Sequence, residues 1–213
     1  RLVAIKLAER FPDHYDGAFT DGSMLGGTLE LVRNYWDARI LFDYFFPGVV
    51  PGTAWYVPPG IDLDETYTKV VEALIQGLVE SPYPTLQFKQ AAKLPFDDPE
   101  GIVIGGLYLA AGTLEYGPHL VGLTNGIPYD NTQTWYSGSE DDDALNAGVA
   151  RYASDPNAVN YMQHYYTPTG VLQIPVITLH STLDPVVWHT HEDLFADAVA
   201  NAGASQYLLQ RQV

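Results

Sequence analysis

Apolar residues Leu2, Val3, Ile5, Leu7 and Ala8 recur at roughly helical spacing, with Arg10 in the last turn and Pro12 just beyond as a stop. The chain therefore opens inside a helix. The stretch DGAFTDGSML then predicts a short strand around Ala18 to Thr20, a small buried run bounded by glycines. From Leu29 to Phe46 an aromatic-rich helical pattern follows, ended by PGVVPG, and a further helix is expected from about Asp64 to Val79. Asp98 with Pro99 reads as an N-cap and first helical residue for a helix to about Ala111, and Asp155 with Pro156 repeats the device to about Tyr165.

The pattern changes at LQIPVITLHS, residues 172–181, where a β-branched and apolar run predicts a buried strand. A helix is expected from Thr190 to Ala202, with Gly203 ending it, and SQYLLQRQV then supplies a last strand. Strand, helix and strand with short links make a βαβ unit, which implies parallel pairing and an α/β fold class.

Composition narrows the function classes. The 213 residues are 46% hydrophobic and 17% charged, ample for a packed core and poor for a disordered chain. A formal charge of −16 with no basic run disfavours phosphate-backbone binding, so no nucleic-acid partner is expected. The longest charge-free apolar stretch, residues 101–114, is too short to span a bilayer, which takes ~20 residues, and predicts a buried helix instead of a membrane span. Cysteine is absent, which removes disulfides, thiol nucleophiles and cysteine metal sites.

Candidate chemistry centres on LHSTLDPVV, which sets Asp184 a few residues beyond a buried strand, where an open parallel sheet displays its working residues. Asp-Pro is equally a common turn initiator, so the spacing alone leaves an active-site acid and a plain turn both open. His189, His191 and Glu192 in WHTHED suggest a metal site, but helix positions two apart diverge by about 200°, so the stretch reads as polar residues opening a surface helix and no metal is expected. His180, on the strand before Asp184, reads more readily as a packed strand histidine. SEDDDALNAG, residues 139–148, lacks the ligand spacing of a calcium loop and fits a solvated helix start.

Three stretches, LAERFPDHYDGAFTDGSMLGG, DNTQTWYSGSEDDDALNAGVARYASDP and YYTPTGVLQIPVITLHSTLDPVV, together resemble bacterial α/β-hydrolase-fold serine hydrolases of the esterase and lipase kind. The resemblance implies a parallel-sheet core from residues 1–35 and 173–213, the C-terminal part of that fold's sheet, with a helical lid insertion at 36–172. It further implies a Ser-Asp-His triad in which Asp184 is the acid, with the nucleophile elbow expected just upstream of Arg1 and the histidine just downstream of Val213. No cofactor follows from it, and the implied partner is a small ester substrate. Ser23 fails the elbow spacing, since Asp21 and Leu25 stand where G-x-S-x-G needs glycines. It is then a pocket-wall residue or a plain loop serine. Ser23 and Met24 would lie at the pocket rim, and Val187 and Trp188 would line an acyl or alcohol pocket. The lid aromatics Trp36, Tyr44, Phe45, Phe46, Trp55, Trp135 and Tyr136 would pack its core or face substrate. The acidic, lysine-poor, Tyr-rich balance suits a secreted enzyme. A peptidase or other acyl-transfer enzyme of the same fold, and a non-catalytic binding or assembly protein, stand as alternatives.

Overall fold

The computed structural model describes residues 1–81 and 83–213. Along them run α1 (Leu2–Arg10), β1 (Ala18–Asp21), α2 (Thr28–Phe45), α3 (Leu63–Val79), α4 (Pro84–Ala91), α5 (Pro99–Thr124), α6 (Asp142–Gly148), α7 (Pro156–Tyr166), β2 (Val176–His180), α8 (Thr190–Asn201) and β3 (Leu208–Gln212). The class is mixed α/β, and the three strands form one parallel sheet in the order β1-β2-β3. No helix among the described residues is long and apolar enough to cross a membrane.

The chain divides into two compact units, residues 1–31 with 160–213, and residues 32–159. The divisions fall inside α2 and α7, whereas the sequence reading set the boundaries at 35/36 and 172/173. Helical periodicity runs unbroken across both divisions, so it carries no mark of them.

In the first unit Ala18 stands opposite Val176 and Asp21 opposite Leu179, and the register continues from Val176 opposite Leu208 to His180 opposite Gln212. Alternation along the strands sorts their residues between two faces. Val176, Thr178 and His180 point into a core made with Ile5 and Ala8 of α1 and Phe195 and Val199 of α8. The opposite face shows a cross-strand row of Phe19, Ile177 and Leu209, 60%, 41% and 43% exposed. Parallel sheets are as a rule covered on both faces; here α1 and α8 supply one.

The second unit is helical. Asp98 caps α5 by accepting the Gly101 N–H at 2.7 Å, with Pro99 in the first turn. This helix continues to Thr124, well beyond the expected end near Ala111, and runs through Pro118. Its glycines act as contact points and not as breaks: a Cβ at Gly106 would stand 2.9 Å from Leu74, and one at Gly105 2.7 Å from Phe96. The helix stops at Asn125, which takes the left-handed conformation at φ +51°. Sequence reading missed α4, which is short and starts at Pro84. Arg39 is fully buried, its guanidinium held by Asp43 at 2.9 Å and Thr113 at 3.3 Å. Trp36 stacks on Trp55 with centroids 4.3 Å apart, and Trp36, Phe46 and Tyr136 are core residues, while Trp135 is 61% exposed. In the acidic stretch Asp141 caps α6 by accepting the Ala144 N–H at 2.9 Å, and Asp142 ties down the Ser139 N–H at the same distance.

Candidate functional site

The loops leaving the carboxyl ends of β1 and β2 come together in the first unit. After β1 the ladder runs one step further, with the Gly22 N–H donating to the Leu179 carbonyl at 2.8 Å, and Gly22 then turns at φ +50°. Any side chain there would be crowded. A Cβ at Gly22 would stand 3.0 Å from Nη1 of Arg1 and 3.1 Å from Oδ2 of Asp184, so the loop backbone passes between a guanidinium and a carboxylate. The Arg1 Nη1 donates to the Gly22 carbonyl at 3.0 Å.

Asp184 follows β2 by four residues. Its Oδ1 accepts the N–H groups of Val186 at 2.8 Å and Val187 at 2.9 Å, which folds the Asp-Pro turn around the carboxylate and fixes its orientation. Oδ2 lies 3.7 Å from Nε2 of His180. Of the two sequence readings of this residue the geometry displays the turn, which is what holds the carboxylate.

His180 is wholly buried, and both its nitrogens are engaged. Nε2 stands 2.8 Å from the Val187 carbonyl and Nδ1 3.2 Å from Oε1 of Glu192. A carbonyl can only accept, so the proton on Nε2 is assigned by chemistry, and a carboxylate opposite Nδ1 favours the imidazolium. Burial pulls the His180 pKa down, but the bonds to Glu192 and Val187 and the charges of Glu192 and Asp184 outweigh it and leave it raised. Glu192 mirrors this: burial pushes its pKa up, and the bonds from His180, Thr178 and Gln210 bring it below the usual carboxylate range. Its Oε2 accepts from the Thr178 hydroxyl and from Nε2 of Gln210 at 2.6 Å. One carboxylate from α8 therefore joins all the polar inward positions of β2 to β3.

This corrects the reading of WHTHED as the polar opening of a surface helix. Glu192 is 3% exposed and His191 fully buried, because the first turn of α8 faces the sheet. The available signal was Thr178 and His180 at alternate positions of the buried strand β2, donors that required an acceptor; Gln210, on the more exposed β3, shares it. His189 and His191 take separate directions. The His189 ring meets that of His180 edge-on at 5.9 Å, whereas Nδ1 of His191 accepts the Gly26 N–H at 3.0 Å. That bond sets the His191 tautomer with its proton on Nε2, and burial pulls its pKa down to about 4, so the ring is neutral.

Ser23 is 1% exposed, and its hydroxyl pairs with that of Thr20. Met24, half-buried, accepts a bond from the Thr28 hydroxyl at its sulfur at 3.4 Å. Val187 is buried and Trp188 half-buried. The structure thus sets Asp184 beside Gly22, the residue before Ser23, and places Val187 and Trp188 on the loop leading from Asp184 into α8. Sequence reasoning gave no role to Arg1 and did not pair Glu192 with His180. Compared with protein-family models, curated proteins and solved structures, the chain returns no match.

Proposed function

We propose that this chain belongs to a serine ester hydrolase of the α/β-hydrolase type, in which Asp184 is the acid that orients a catalytic histidine. The observation that supports this most is the fixed carboxylate: after the central strand of a parallel sheet, two backbone N–H groups hold Oδ1 and leave Oδ2 as an acceptor. An acid in that role holds an imidazole in the right tautomer and stabilises its cation while the imidazole moves the nucleophile's proton. His180 is not that imidazole, since both its nitrogens are bonded inside the core. Ser23 is not the nucleophile, since its hydroxyl is buried against Thr20. Met24 and Trp188, both half-buried, are the pocket-wall residues on this reading. The helical unit is the inserted part that selects the substrate, an acyl or aryl ester.

The test is hydrolysis of p-nitrophenyl butyrate by the natural gene product, with a fluorophosphonate probe and peptide mapping. Turnover together with label on a serine other than Ser23 supports the proposal; absence of both, or label on Ser23, overturns it. The exposed row Phe19, Ile177 and Leu209 favours a second reading, a non-catalytic assembly protein. An inert gene product that self-associates through this row would support that one.

A further inference from the structure

The loop between α5 and α6 carries a feature that ester hydrolysis does not use. Thr132, Gln133, Thr134 and Trp135, facing Asp143, Asn146 and Arg151, line an open cleft of about 420 Å³, within the size range of small-ligand sites. Its walls are fixed from below. Nη1 of Arg151 donates to the carbonyls of Asn131 at 2.7 Å and Thr134 at 2.6 Å, and Nη2 to the Asn146 carbonyl at 3.1 Å and side-chain oxygen at 3.0 Å. Asn146 in turn accepts the Tyr136 N–H at 2.9 Å. The two sides of the cleft are tied together before any ligand arrives, which lowers the ordering cost of binding.

Three groups remain uncommitted above this floor. The Trp135 indole is 61% exposed beside the core residue Tyr136. The Asp143 carboxylate and the Gln133 amide, both exposed, make no side-chain hydrogen bond among the described residues. A flat apolar face flanked by a carboxylate and an amide suits a ring with an apolar C–H face and hydroxyls around its edge. Charge narrows the class further: Arg151 offsets Asp143, so the cleft holds no net charge, while the formal −16 of the whole chain repels anions. We propose that this cleft binds a neutral saccharide ring, stacked on Trp135 and hydrogen-bonded at its hydroxyls by Asp143 and Gln133. This inference does not rest on the ester hydrolase reading.

Affinity electrophoresis of the natural gene product through native gels containing hydroxyethylcellulose, arabinoxylan, galactomannan or soluble starch tests it. An acidic protein runs toward the anode, and neutral polymers add no ionic drag. The expected result is retardation in at least one gel, weakened about tenfold or more by Trp135→Ala and partly kept by Trp135→Tyr. Asp143→Asn should weaken it by a smaller factor. Because Trp135 is exposed, the alanine variant should keep the wild-type circular dichroism spectrum. Wild-type protein that runs unretarded in all four gels overturns the proposal, as does retardation that Trp135→Ala leaves unchanged.

Discussion

Replacing Glu192 by alanine tests whether one carboxylate ties β2, α8 and β3 together. In the native protein it takes bonds from His180, Thr178 and Gln210, and it is 3% exposed beside a fully buried imidazole. Alanine leaves a buried, positively biased ring and two donors without an acceptor. Removing one partner of a buried pair costs about 3–5 kcal/mol, a large part of the roughly 5–15 kcal/mol that holds a domain together. With a urea m-value on the order of 2 kcal/mol/M the midpoint should fall by about 2 M. The loss should depend on pH. The folded pKa of His180 lies above its ordinary 6.5, so its contribution is full below 6.5 and fades as pH rises through the folded value. The folded pKa of Glu192 lies below its ordinary 4.5, so its contribution is present above 4.5 and fades as pH falls through the folded value. Urea unfolding followed by tryptophan fluorescence should therefore show the largest gap between wild type and Glu192→Ala between pH 4.5 and 6.5, narrowing in alkali. A midpoint shift under about 0.3 M in that window, or a gap that does not vary with pH, would refute the reasoning.

His191 gives the opposite sign. Its folded pKa of about 4 lies below the ordinary 6.5, so the unfolded chain takes the proton first and stability drains away as pH falls from 6.5 toward 4. The 2.5-unit difference (6.5 − 4) corresponds to about 3 kcal/mol at the acid end. His191→Gln should remove that component, so parallel stability-against-pH curves for variant and wild type would count against it. Gly170 sits at φ +76° with its Cβ position 2.4 Å from the Ala198 carbonyl carbon, so Gly170→Ala should cost about 2 kcal/mol or more. Calorimetry would show this as a lowered Tm; an unchanged Tm would mean that α8 shifts freely.

What the sequence disclosed depended on how local the cause was. Asp98 with Pro99 and Asp155 with Pro156 mark helix starts because an N-cap acts within one turn, and the side chains do accept from Gly101 and Asn157, both at 2.7 Å. The β2-α8-β3 order was legible because apolar runs and short links specify parallel pairing. The second half of α5 was not, because Gly112, Gly117, Pro118 and Gly122 are weak helix formers, and the contact that calls for a small residue, Tyr35 2.8 Å from a Cβ at Gly112, is distant in sequence. At the candidate site, the strand before Asp184 and the Asp-Pro turn that holds its carboxylate were legible, because both are local patterns. The His191 bond to Gly26 spans 165 positions, and no local pattern points to it. Glu192 was misjudged because glutamate is mostly exposed and an acid in a first helical turn is favoured by the helix dipole alone, and only the donors beneath it explain its burial.

The most direct test of the central claim is kcat of Asp184→Asn in the natural gene product with p-nitrophenyl butyrate. Asparagine keeps a carbonyl oxygen for the Val186 and Val187 N–H groups, so the turn and the Tm should survive while the acceptor for an imidazole N–H is lost. The account predicts a fall in kcat on the order of 10³–10⁴ with Tm nearly unchanged. A variant whose kcat stays within about threefold of wild type would contradict it, and Asp184 would then be a turn residue and nothing more.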